Sequence, residues 1–178
     1  MSNETTRAEP PDMSDKPVPL GTLIGRLSHA MKERMSAGDL ADLRRMEPSD
    51  PGSPAFFKVL VHYLEGSINL PPDGPARDEA ERRWSAILNG MAHNVGLHRP
   101  GDRLGMALAQ AGFSELRFTR LLRAQGDALL DNVRLAARFL ASKGQPANWT
   151  DVARLVLSDG QGHAEQVRRQ TARDYYRN

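Results

Sequence analysis

From Leu20 onward, apolar residues recur at three- and four-residue steps, and no stretch beyond a few residues alternates with period two. The first spacing stripes one face of an α-helix; the second would stripe one face of a strand. A chain carrying only the first can bury its apolar surface only by packing helix on helix. The expected fold class is therefore all-α, with N-terminal and C-terminal helical bundles packed into one compact, elongated unit. At 178 residues the chain is long enough to bury a core without covalent staples. It has no cysteine, which removes disulfides and thiolate metal sites and suits a reducing compartment.

Prolines, glycines and capping residues divide the pattern. Residues 1–19 are polar, hold Pro10, Pro11, Pro17 and Pro19, and read as a disordered tail. They lack the apolar segment of a secretory signal. No apolar run approaches the roughly 20 residues of a membrane span, so the expected location is cytoplasmic, with no membrane partner. Leu20, Leu23, Ile24, Leu27 and Met31 form the first helical face. A second helix is expected from Asp39, with Leu40 and Leu43 inward, ending by Pro48. Ser53-Pro54 reads as a cap followed by proline at the first helical position. Phe56, Phe57, Leu60, Val61 and Leu64 then form one expected inward stripe, stopped by Gly66. Residues 69–75 read as a loop. The next helix is expected near Asp78, with Trp84, Ile87, Leu88, Met91 and Val95 on one face. Pro100-Gly101 breaks the chain, and the N-terminal bundle is placed at 20–98 and the C-terminal one at 99–178. In the second bundle Asp102, Ser114 and Asp127 are expected to cap successive helices. Asn148 or Thr150 caps the next, and a polar helix ends at Tyr175-Tyr176.

Charge is unevenly spread. The net is +2, yet residues 1–98 hold 11 Lys+Arg against 14 Asp+Glu, while residues 99–178 hold 13 against 8. Lys143 is the only lysine of that second stretch. Arginine forks pair bidentately with phosphate and carboxylate and stay charged when partly desolvated. The excess by itself fits a solvated helical surface, and it also suits an anionic partner.

The residues give little support to catalysis. His29, His62, His93, His98 and His163 make no H-E-x-x-H or other helical metal pair, and His93 and His98 read as surface or boundary residues. No Gly-rich phosphate loop and no G-x-S-x-G elbow occurs. The acids fall mostly at helix starts, where capping accounts for them. No catalytic residue, no metal site and no cofactor is therefore expected.

The arginines are a different matter. In S-E-L-R-F-T-R-L-L-R-A-Q, residues 114–125, Arg117, Arg120 and Arg123 fan over about a third of a helix's circumference. Phe118, Leu121 and Leu122 occupy the other side. Arg134 and Arg138 share a face of the following helix, opposite Leu129, Val133, Ala136 and Leu140. Like charges so spaced cost a few tenths of a kcal/mol per pair, a cost that phosphates would offset. An acidic protein surface would serve equally well. The residues alone leave open a nucleic-acid holder and a purely structural adaptor.

Four segments in order carry a resemblance: L-R-R-M-E-P at 43–48 with P-A-F-F at 54–57, L-G-M-A-L-A-Q-A-G at 104–112, S-E-L-R-F-T-R-L-L-R-A at 114–124, and N-W-x-x-V-A-R-L at 148–155. Together they resemble the small subunit (CasB family) of the type I-E CRISPR Cascade surveillance complex. The resemblance implies a non-catalytic antiviral-defence subunit. Its partners would be the large subunit CasA, the backbone subunit CasC, the terminal subunits, a second copy of itself, guide RNA and target DNA. Its basic surface would hold the opened target DNA, or R-loop. It places Arg44 and Arg45 on the family's paired arginines, and Arg117 and Arg123 on its L-R-x-x-x-L-[LI]-R-A pattern. Arg134 and Arg138 fall in the following basic helix, and Arg154 in an A-R pair with a structural reading. The candidate nucleic-acid-binding set is Arg44, Arg45, Arg117, Arg120, Arg123, Arg134 and Arg138.

Overall fold

The computed structural model describes residues 17–47 and 52–177. Helices run over Leu20–Glu33 (α1), Ala37–Arg45 (α2), Pro54–Val59 (α3), Pro75–His93 (α4), Leu104–Gln110 (α5), Glu115–Arg123 (α6), Gly126–Lys143 (α7), Trp149–Leu157 (α8) and Ala164–Tyr176 (α9). A π-helical turn, Leu60–Leu64, continues α3. The expected all-α class is what the chain adopts, and among the described residues no strand forms. His98 and Ala147 make an isolated bridge. Of the expected tail, residues 1–16 lie outside the described residues; Val18 N–H donates to Ser67 O at 2.8 Å.

Helix starts explain much of the architecture, because the first N–H groups of a helix need acceptors. Three helices supply their own: Ser36 accepts from Asp39 N, Ser53 from Phe56 N, and Asn148 from Thr150 N. Carboxylates from elsewhere in the fold serve α3 as well, and also α5 and α7. Asp42 of α2 accepts from Ala55 N at 3.1 Å, Asp151 of α8 from Leu104 N at 3.3 Å, and Asp159 from Gly126 N at 2.7 Å. These contacts correct two expected caps. Asp102 does not cap α5, whose N-cap residue is Arg103. Asp127 does not cap α7; it lies in the first turn and pairs with Arg82 at 3.3 Å. Ser114 is the N-cap residue of α6, but its hydroxyl makes no capping bond. Helix α4 starts at Pro75, before Asp78, because Pro75 fits the first helical position after Gly74.

Residues 84–92 of α4 are all buried, which marks it as the central helix. It packs on α2, α7 and α8, and α9 closes over α5 and α8. At the α4–α8 crossing a Cβ on Gly90 would stand 2.6 Å from the Trp149 ring, so glycine is what lets that fully buried indole in. The core runs without a break from Leu23 and Phe56 through Ile87 and Leu108 to Leu140 and Val156. The expected stripe on α3 is narrower than its sequence suggested. Phe56, Leu60 and Leu64 are buried, but Phe57 and Val61 are exposed, one residue round the helix from them. Leu122 is half-buried beside the fully buried Phe118 and Leu121.

Candidate nucleic-acid interface

Two surfaces hold the candidate arginines. The first is the outer face of α6, where Arg117, Arg120 and Arg123 are all exposed. Their direction is set from behind. Phe118 is fully buried and stacks on Tyr175 of α9, ring centroids 3.8 Å apart and planes 9° from parallel. Tyr175 Oη donates to Phe113 O at 2.5 Å, and Tyr176 Oη donates to Glu115 at 2.8 Å. The acid that opens α6 is thus engaged by a tyrosine. None of the three arginines makes an ion pair among the described residues.

The second surface lies where the C-terminal ends of α2 and α4 meet α7. Asn89, fully buried on α4, donates its amide to the carbonyls of Leu43, Arg44 and Met46 at 2.9, 3.0 and 3.2 Å. It thereby ties down the end of α2. Arg44 Nε donates to Ala92 O at 2.7 Å, while Arg45 is exposed. One turn beyond Asn89 is His93. Its ring is held below the ordinary imidazole pKa first by burial, then by the positive charges of Arg138, Arg44 and Arg134. Its Nε2 is buried with no hydrogen-bond partner. One imidazole therefore lies within the field of three candidate arginines.

These arginines are not equivalent. Arg138 is exposed and makes no ion pair among the described residues. Arg134 is 13% exposed and puts both terminal nitrogens on Glu47, at 2.6 and 3.1 Å. That hydrogen bond and charge, with Arg138 adding to them, hold the Glu47 carboxyl below the usual range. Arg134 thus meets a carboxylate in the bidentate geometry that also suits phosphate. Arg154 is exposed and pairs with Asp151 at 3.4 Å.

Several of the other arginines are committed to the fold. Arg77 bonds Glu65 and Glu81; Arg82 and Arg83 both bond Glu79; Arg103 bridges Asp151 and Asp174; Arg168 meets Asp159 at 2.6 Å. Residue type and helical spacing do not reveal which arginines have acids waiting for them. The same reasoning passed over His93 and Glu47. The usable signal for His93 was its position four residues after Asn89, on the face of α4 turned toward α2.

Among the described residues no group of three or more His, Asp or Glu could hold a metal ion. No described helix is long and apolar enough to cross a membrane.

The geometry defines a class: an all-helical protein that displays, from packed helices, arginines without ion-pair partners among the described residues. The chain belongs to the CRISPR-associated protein Cse2 family, whose model matches residues 39–176. It is also similar to a chain in the crystal structure of E. coli Cascade bound to a PAM-containing double-stranded DNA target. The TM-score is 0.63 at 23% identity, over 86% of this chain and 97% of that one. No curated protein sequence matches it.

Proposed function

We propose that the chain is a non-catalytic subunit of a CRISPR RNA-guided surveillance complex, and that its arginines hold nucleic-acid backbone and stabilise opened target DNA. Its partners in this reading are the other Cascade subunits, a second copy of itself, guide RNA and target DNA. The observation that carries the reading is the set of exposed arginines that have no carboxylate partner among the described residues: Arg45, Arg117, Arg120, Arg123 and Arg138. Arg44 and Arg134 stand at the margin of the second surface, one bonded to a carbonyl and one to Glu47. Cse2-family membership and the fold shared with a chain of DNA-bound Cascade support it.

The chemistry fits. Exchanging a DNA duplex for a guide–target hybrid is nearly balanced, so backbone contacts to separated strands can tip it. Helix-borne arginines supply such contacts without reading sequence. The test is the complex carrying Arg117→Ala and Arg123→Ala, assayed for retention of an opened target across a salt series. The slope of log K against log salt should shrink by about 1.4, for two lost contacts on a single strand. An unchanged affinity and slope would refute the reading.

One observation favours a second reading, a structural adaptor. Leu116 and Leu135 are 64% and 61% exposed beside the arginines, which suits a protein surface. Crosslinking the assembled complex on an opened target separates the two, because an adaptor yields crosslinks to protein only.

A further inference from the structure

A cleft of about 600 Å³ opens between α5, α8 and α9, and none of its described lining residues lies on α2, α4, α6 or α7. It falls within the size range of ligand sites, roughly 300–1,000 Å³. At its floor α5 meets α9 through Gly105. A Cβ there would overlap the Thr171 carbonyl and stand 2.7 Å from Tyr175 N, so glycine is what lets the two helices touch at the floor.

Two carboxylates border the floor, Asp151 and Asp174, 8% and 6% exposed. Both are already engaged. Asp151 Oδ2 accepts from Arg103 Nε at 3.2 Å and from Leu104 N at 3.3 Å, and its Oδ1 faces Arg154 at 3.4 Å. Asp174 accepts from Arg103 at 3.1 Å and from Gln170 at 2.9 Å. What remains open around the cleft is donor capacity. Arg173 is exposed and makes no ion pair among the described residues, and Arg154 has only its long contact to Asp151. The complementary ligand is an anion rich in acceptors.

The walls select which anion. Glu165 is paired with Arg169 at 3.0 Å, which leaves Arg154 on α8 and Arg173 on α9 as the cations open to a ligand. Among the described residues no Phe, Tyr or Trp lines the cleft to stack a base. Gln166 offers an amide that matches peptide groups. We propose that this cleft binds an acidic segment of a partner protein, with Arg154 and Arg173 pairing its carboxylates. The inference is independent of the reading of the arginine surfaces.

The test is a titration of the ¹⁵N-labelled full chain with a peptide of alternating Glu and Gln, followed by NMR. Saturable shifts are expected at the backbone amides of Gly105, Gln166, Gln170 and Thr171, and none are expected with the matching Lys–Gln peptide. Arg154→Ala with Arg173→Ala should weaken binding by about tenfold or more, with an unchanged circular dichroism spectrum. Arg117→Glu with Arg123→Glu should leave peptide binding intact, which keeps this site separate from the α6 surface. No saturable shift at millimolar peptide, or binding unaffected by the Arg154/Arg173 pair of substitutions, overturns the proposal. So does an oligothymidylate of equal charge that shifts the same amides as strongly, since that assigns the cleft to nucleic acid.

Discussion

Asn89→Asp tests how the second arginine surface is held. The substitution keeps the shape of the side chain and reverses its hydrogen-bonding sense. In the protein the Asn89 amide meets three carbonyls at the end of α2, those of Leu43, Arg44 and Met46, from a fully buried position. An ionised aspartate donates nothing and sets a desolvated charge against three oxygens. A buried polar group left unpaired costs about 1–3 kcal/mol. Two amide hydrogens are lost, and the carbonyl of Arg44 can regain water because that contact is only partly buried. The expected loss is about 3 kcal/mol at pH 8, a large share of the roughly 5–15 kcal/mol that holds a domain together. The introduced carboxyl should respond by raising its pKa above the unfolded value of about 3.9. The native state then binds more protons than the unfolded state between those two pKa values, so stability falls as pH rises through that window. Once protonated, the carboxyl also regains one O–H donor. The difference from wild type, measured by urea denaturation, should therefore shrink between pH 8 and pH 5. A variant within about 0.5 kcal/mol of wild type at pH 8, or a deficit that grows on acidification, would refute the reasoning.

Three other outcomes follow from the same geometry. The His93 pKa, followed by NMR, should lie below the ordinary imidazole value in the free protein and rise when an oligonucleotide binds, because phosphates offset the charges of Arg138, Arg44 and Arg134. Its depressed pKa also means that the stability it contributes is present above about pH 6.5 and is lost as pH falls toward the folded value. Glu47→Gln should free the Arg134 fork, tighten nucleic-acid binding a few-fold and steepen the single-strand salt slope by about 0.7; unchanged binding would mean that Arg134 never meets phosphate. Gly105→Ala should cost about 2 kcal/mol or more by prising α9 from α5, lowering Tm by roughly 5 °C or more in a calorimetric scan.

How much of this was legible in the sequence depended on whether the signal was local. Ser53 and Asn148 could be read as caps because the donors they satisfy lie two or three residues away. Asp102 and Asp127 obeyed the same local rule and misled. The carboxylates that close α5 and α7 come from Asp151 and Asp159, 47 and 33 residues from the groups they accept from. The arginines divide in the same way. Helical register put Arg117, Arg120 and Arg123 on one exposed face, as found. It could not show that Arg134 is bound to Glu47, 87 residues away, while its helical neighbour Arg138 is not. His93 read as a bland boundary residue because its neighbours across the fold, not along the chain, surround it with positive charge.

The α6 surface raises a final question: what keeps a short helix in place while it displays like charges? Arg117 with Arg120, and Arg120 with Arg123, are two repelling i,i+3 pairs, together costing about 0.5–1 kcal/mol. No ion pair among the described residues relieves them. The compensation is on the opposite face. Complete burial of Phe118 contributes about 1.5–3 kcal/mol, and its stacking on Tyr175 adds about 0.5–1.5 kcal/mol. The inner face thus outweighs the outer one, and the arginines can remain unpaired without loosening the helix. A bound phosphate would then meet guanidinium groups whose backbone is already fixed. That arrangement lowers the ordering cost of binding, and it depends on an aromatic contact with α9, the helix that also forms one wall of the cleft.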